Sequence, residues 1–188
     1  AHRITAAVER ATRERLPLLA APASGGTRMQ EGTPAFVEMV TISRAVARHK
    51  AAGLPYLVYL RHPTTGGVFA SWGSLGHVTV AEPGALVGFL GPRVFEALHG
   101  EPFPAGVQLA ENLVDKGILD AVVPSDDLAG VTARVLDRWR SGQIVFWPWM
   151  IPVGLVLMAL GGVALGLGLP LISGNLPIDL FKGPSIEG

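Results

Sequence analysis

A run of five apolar residues, Tyr56-Leu57-Val58-Tyr59-Leu60, is followed closely by a paired glycine, Gly66-Gly67. Residues of this β-branched and aromatic kind suit a buried strand. The run breaks at Arg61-His62-Pro63 and reaches Thr64-Thr65-Gly66-Gly67. Small and apolar residues from Val68 to Leu75 predict a short helix, and after Gly76 a second strand-like run begins, Val78-Thr79-Val80. Paired glycines let backbone N–H groups approach a ligand with no Cβ in the way. A helix starting just beyond them aims its unpaired N–H groups, and the positive end of its dipole, at the same spot. That spot suits an oxygen that gains negative charge during a reaction. A plain tight turn uses the same residues, and this pair alone leaves both readings open.

The unit occurs twice. Ile4, Ala7, Val8 and Ala11 recur at helical spacing, so residues 4–14 predict an amphipathic helix. Leu16 to Ala21 reads as a short buried strand, followed by Ser24-Gly25-Gly26-Thr27-Arg28-Met29-Gln30-Glu31. Phe36, Val37, Val40, Ile42, Ala45 and Val46 then continue at near-helical spacing, and Gly53 supplies a stop. Two strand–Gly-Gly units in adjacent parallel strands would point backbone donors at one shared place.

Further on, Ala85 to Phe89 predicts a strand ending at Gly91-Pro92, and Arg93 to His99 a helix. Gln108 to Lys116 predicts another helix, Leu119 to Val123 a short strand, and Asp126 to Arg140 an amphipathic helix. Strands alternating with helices argue for an α/β domain with mostly parallel strands. With 188 residues there is room for one domain and an appendage. Fifteen basic residues balance fifteen acidic ones, so no global field recruits nucleic acid. The absence of Cys excludes disulfides, thiolate zinc sites and a cysteine nucleophile. No His spacing of the H-x-x-x-H kind appears, so no metal site is expected. The start at Ala1 shows no signal peptide and reads as a chain cut from something longer.

Ser24-Gly25-Gly26-Thr27-Arg28-Met29-Gln30-Glu31, Gly53-Leu54-Pro55-Tyr56 and Thr65-Gly66-Gly67-Val68 together resemble the carboxyltransferase β subunit of acetyl-CoA carboxylase. The likeness continues through Ala81-Glu82-Pro83, Ala85 to Phe89, Gly91-Pro92-Arg93-Val94 and Glu111 to Asp120, covering residues 1 to about 139. The resemblance implies a crotonase-like (ClpP-like) spiral of ββα units, here partial. It also implies carboxyl transfer from carboxybiotin, presented on a biotin carboxyl carrier protein, to a short acyl-CoA, of the acetyl-CoA to malonyl-CoA type. An α-type carboxyltransferase subunit is the implied partner. Gly25, Gly26, Gly66 and Gly67 then correspond to the oxyanion-hole segments, where backbone N–H groups stabilise the thioester enolate or the biotin ureido oxygen. Ser24, Arg28, Val68, Gly91 and Arg93 are the implied substrate-binding positions. Arg28 meets a CoA phosphate or braces its loop; Arg93 caps a helix or faces the cleft. Three departures stand out: no zinc ribbon, little of the upstream core, and His77 where an acidic residue is common in the family. A structural role suits His77 better than a catalytic one.

The chain divides into this domain, residues 1–140, and a tail, 141–188. Apolar residues reach 49% and charged ones only 16%, and the tail explains the skew: between Arg140 and Asp179 nothing is charged. Ile144 to Ile172 is nearly all apolar, and roughly twenty such residues span a bilayer as a helix. Trp147 and Trp149 at its leading edge, behind Arg134, Arg138 and Arg140, fit an interfacial belt and a cytoplasmic flank. The expectation is an apolar C-terminal helix that crosses a membrane, packs on a partner, or is foreign to the domain.

Overall fold

The computed structural model describes residues 1–25, 32–90 and 92–143. The predicted apolar helix at 144–172, and with it the whole question of the tail, lies outside these residues. Among the described residues no helix is long and apolar enough to cross a membrane.

Helix α1, His2–Arg13, buries Val8 and Ala11 and leaves Arg10, Arg13 and Glu14 outward, as its spacing requires. Strand β1 is Leu18–Ala20 and helix α2 is Thr33–Ala51. The helix ends where Gly53 takes φ +73°, a left-handed conformation natural to glycine. Next come β2, Tyr56–Leu60, and β4, Val78–Ala81, with a two-residue strand β3, Thr64–Thr65, between them. Strand β5 is Val87–Gly88, helix α3 Pro92–His99, helix α4 Ala110–Asp115, strand β6 Ala121–Val122 and helix α5 Leu128–Arg140.

The main sheet has the order β1-β2-β4-β6, and every pairing in it is parallel. Both faces are covered. Tyr56, Val58 and Leu60 pack with Val8, Ala45 and Val46 on one side; Leu57 and Tyr59 pack with Val131 and Val135 on the other. A strand buried on both faces carries a continuous apolar run, which is why 56–60 is so conspicuous in the sequence. β1 differs from its expectation as a buried strand: Leu19 is 41% exposed. It occupies the edge of the sheet, with only β2 beside it.

The predicted helix at 68–75 is not an α-helix. The segment is a run of turns closing in a single 3-10 turn, Trp72–Ser74. Gly73 sends its N–H to the Val68 carbonyl at 2.9 Å, and a Cβ there would sit 2.7 Å from that oxygen. The Ser71 hydroxyl bonds back to the Gly67 carbonyl, and the Tyr56 hydroxyl takes the Trp72 carbonyl at 2.8 Å. These contacts draw off the carbonyls that a regular helix would use.

Candidate functional site

The chain turns out of the main sheet at the end of β2. The His62–Pro63 peptide is cis, and the fully buried Thr64 hydroxyl lies 2.9 Å from the Pro22 carbonyl and 2.8 Å from that of Arg61. One hydroxyl proton serves both oxygens. This corner delivers Thr64 and Thr65 into a second ribbon, whose strand β3 pairs in parallel with β5.

On its other flank β3 meets the first glycine segment. Ser24 forms a parallel bridge with Thr64, its N–H reaching the Pro63 carbonyl at 2.6 Å while its carbonyl accepts the Thr65 N–H at 2.9 Å. Three segments that follow the C-terminal ends of β1, β2 and β4 therefore run side by side: Ser24-Gly25, Thr64 to Gly66, and Leu86 to Gly88. In open α/β sheets this is the end at which ligands bind. The structure brings Ser24, Gly25, Gly66, Gly67 and Val68 into one neighbourhood. Gly26, Arg28 and Gly91, and the Arg93 side chain, lie outside the described residues.

The two glycines of the second pair behave differently. Gly66 has φ +65°, which favours glycine, and its N–H is already bonded to the Gly88 carbonyl at 2.9 Å. It cannot also donate to a ligand, so the expectation that both glycines offer donors is corrected at Gly66. The Gly67 and Val68 N–H groups meet no acceptor among the described residues. Val68 keeps its side chain buried, at 7% exposure, leaving its backbone as the part able to reach a ligand. At Gly25 a Cβ would meet nothing within 4 Å.

His62 and Glu82 flank the ribbon, His62 Nδ1 accepting the Leu86 N–H at 3.1 Å, while His49, Lys50 and His77 lie at the opposite end of the strands. His77 Nδ1 accepts the Tyr56 N–H at 3.0 Å, so the ring is neutral with its proton on Nε2. Burial first, then the charges of Lys50 and His49, push its pKa down to about 3. His49 is fully buried; its Nε2 faces the Pro55 carbonyl at 3.1 Å and its Nδ1 the Thr12 hydroxyl at 3.0 Å. Burial lowers its pKa as well. Lys50 Nζ donates to the Leu75 carbonyl at 2.7 Å, and burial lowers its pKa too. Each of these groups has a structural partner. Glu82, a turn acid by sequence, accepts the His62 N–H at 3.0 Å. Among the described residues no cluster of His, Asp or Glu could hold a metal ion.

Three contributors escape the sequence reading. Thr64 is the corner clamp, Gly88 supplies the acceptor for Gly66, and Gln108 packs against Gly88. Nothing in residue type or spacing marks them, because their roles arise only when β3 and β5 are side by side.

The parallel α/β scaffold, with its main-chain turns converging beyond the strands' C-terminal ends, has the crotonase-like fold of the solved carboxyltransferases it superposes on. Residues 1–136 match the carboxyl transferase domain, and the chain belongs to that family. A probable biotin-dependent acyl-coenzyme A carboxylase beta3 subunit of Mycobacterium tuberculosis is 72% identical over 136 residues, covering 72% of this chain and 28% of that protein. The acetyl-coenzyme A carboxylase carboxyl transferase subunit beta of Sorangium cellulosum is 45% identical over 141 residues, covering 75% of this chain and 50% of that protein. Among solved structures, the transcarboxylase 12S core superposes with a TM-score of 0.62 at 23% identity, over 72% of this chain and 27% of that one, a likeness of fold. The chain thus spans between about a quarter and a half of the length of these relatives.

Proposed function

We propose that residues 1–140 form part of a biotin-dependent carboxyltransferase that moves a carboxyl group from carboxybiotin to a short acyl-CoA, of the acetyl-CoA to malonyl-CoA type. Both reactants arrive as substrates, the carboxybiotin on a biotin carboxyl carrier protein, and an α-type subunit contributes the remainder of the assembly. The observation that carries this reading is the parallel bridge of Ser24 to Thr64, which sets the two glycine turns going from neighbouring strands, with the Gly67 and Val68 N–H groups meeting no acceptor among the described residues. Loss of the α-proton turns the thioester into an enolate with negative charge on the thioester oxygen, and that charge is discharged when the α-carbon takes the carboxyl group as the carboxyl–biotin bond breaks. Fixed backbone donors meet that charge without reorganising. The names of the relatives support biotin and acyl-CoA as the partners of the site.

Incubation with malonyl-CoA and biocytin, with and without an α-type subunit, is expected to release acetyl-CoA. No turnover in either case, together with no binding of a CoA ester by calorimetry, ends this reading.

A second reading rests on the charge-free stretch 141–178. In it the chain is a non-catalytic subunit that supplies one face of a carboxylase assembly or tethers it to a membrane. Recovery of the chain in the supernatant after an alkaline carbonate wash removes the tether.

A further inference from the structure

Gln108 stands just ahead of α4 and is only 9% exposed. Its main-chain carbonyl accepts the Val87 N–H at 2.8 Å, and its side-chain nitrogen bonds to the Leu90 carbonyl. A carbonyl only accepts, so the amide nitrogen must be the atom facing Leu90, and Oε1 is left over. Oε1 is buried and has no hydrogen-bond partner among the described residues. An apolar side chain of equal length would fill this space without stranding an acceptor. What glutamine adds is the donor to Leu90.

Between those two anchors lies Gly88, over which the Gln108 side chain is laid: a Cβ at Gly88 would come 2.5 Å from its Cδ and 2.6 Å from its Nε2. Gly88 in turn gives its carbonyl to the Gly66 N–H. β5 is two residues long, paired with β3 on one flank and, among the described residues, held on the other by one antiparallel bridge, Leu86 to Leu109, so its ladders are short. We propose that Gln108 is a positioning residue: it clamps β5 on both sides of Gly88 and so sets the Gly66-Gly67 turn. This deepens the functional reading above and rests on it, since the turn matters because Gly67 and Val68 are the donors. Donors of this kind act within a few tenths of an ångström of a fixed place, so a turn anchored at one remove gains from a stiff anchor.

The test uses the full chain, amide hydrogen exchange and steady-state carboxyl transfer. In Gln108→Met the Gly66 amide should exchange about tenfold faster, the size expected for loss of one buried hydrogen bond, while Val58 and Val80 in the main sheet stay within about twofold. kcat should fall with KM nearly unchanged. Gln108→Glu adds a signature that loss of packing cannot give. Protonated, it can donate to Leu90; ionised, it cannot. Relative to wild type at the same pH, Gly66 exchange should be near normal at pH 5 and fast at pH 8, around a carboxyl whose pKa burial raises from about 4.3. If Gln108→Met does not fold, Gln108→Glu decides alone. Unchanged Gly66 exchange in both variants overturns the proposal, as does equal acceleration of Val58 and Val80. If the wild-type chain transfers no carboxyl group, the functional reading fails, while the exchange comparison still decides the role of Gln108.

Discussion

The two ends of the parallel sheet are built from different materials. At the strands' N-terminal end His49, Lys50 and His77 are side chains with perturbed ionisation, and each has a hydrogen-bond partner in the fold. At the C-terminal end the ribbon of Ser24, Thr64 to Gly66 and Leu86 to Gly88 is held together mainly through its main chain, and the N–H groups of Gly67 and Val68 meet no acceptor among the described residues. Shifted ionisation is often a guide to function, but buried structural networks shift it equally. The side chains with shifted ionisation are engaged by the fold, and the donors that face the glycine turn are peptide amides.

Substitutions at the two ends should therefore separate activity from stability. The largest effect is expected for Gly67→Val, which sets a branched side chain beside the donors: carboxyl transfer should drop by about two to three orders of magnitude, the size for loss of one oxyanion donor. The urea midpoint should barely move. Retained turnover would make the turn merely architectural and erase the contrast.

A middling effect is expected at the other end. His77→Ala leaves the Tyr56 N–H without its acceptor, at a cost of about 1–3 kcal/mol in urea unfolding at pH 7. Turnover per folded molecule should be unchanged. A fall in kcat without a loss of stability would place chemistry where we find only structure.

The effect that is smallest near neutrality is graded with pH. His77 is held neutral in the fold, with a pKa of about 3 against an ordinary value of 6.5 when unfolded. The unfolded chain therefore binds the proton first, and its stabilising contribution, complete above pH 6.5, is lost as pH falls towards 3. One such proton gives a slope of at most about 1.4 kcal/mol per pH unit. His77→Asn, whose side-chain oxygen can still accept from Tyr56, should flatten that slope while keeping most stability at pH 7. An equally steep acid limb in this variant would assign the sensitivity to His49.

How far residues announce all this depends on what they must do. Tyr56 to Leu60 is legible because burial on both faces demands an unbroken apolar run. The helices at 2–13 and 128–140 are legible because one face of each must be apolar. Both glycine turns can be found, and their adjacency through Ser24 and Thr64 agrees with what parallel neighbours require. The short ribbon strands are not legible: Thr64-Thr65 and Val87-Gly88 are too brief to show a period. Nor can a sequence show that the Gly66 N–H is already bonded while the next amide is not. The turns at 68–75 misread as a helix for a related reason. Spacing there is apolar enough, but the Val68 and Gly67 carbonyls are spoken for by Gly73 and Ser71.

The wholly parallel pairing has a consequence for how the chain reaches this state. Among the described residues no strand pairs with a neighbour across a tight hairpin; Leu18 must find Tyr56, Leu57 must find Val78, and Val80 must find Ala121. Each encounter closes a long loop before any contact rewards it, which makes such topologies slow. Helices α1 and α2 can form on local terms while the strands search. Until β2 is flanked by both β1 and β4, its five apolar residues stay open to other chains, so the stretch that most clearly announces the fold is also its greatest hazard during synthesis.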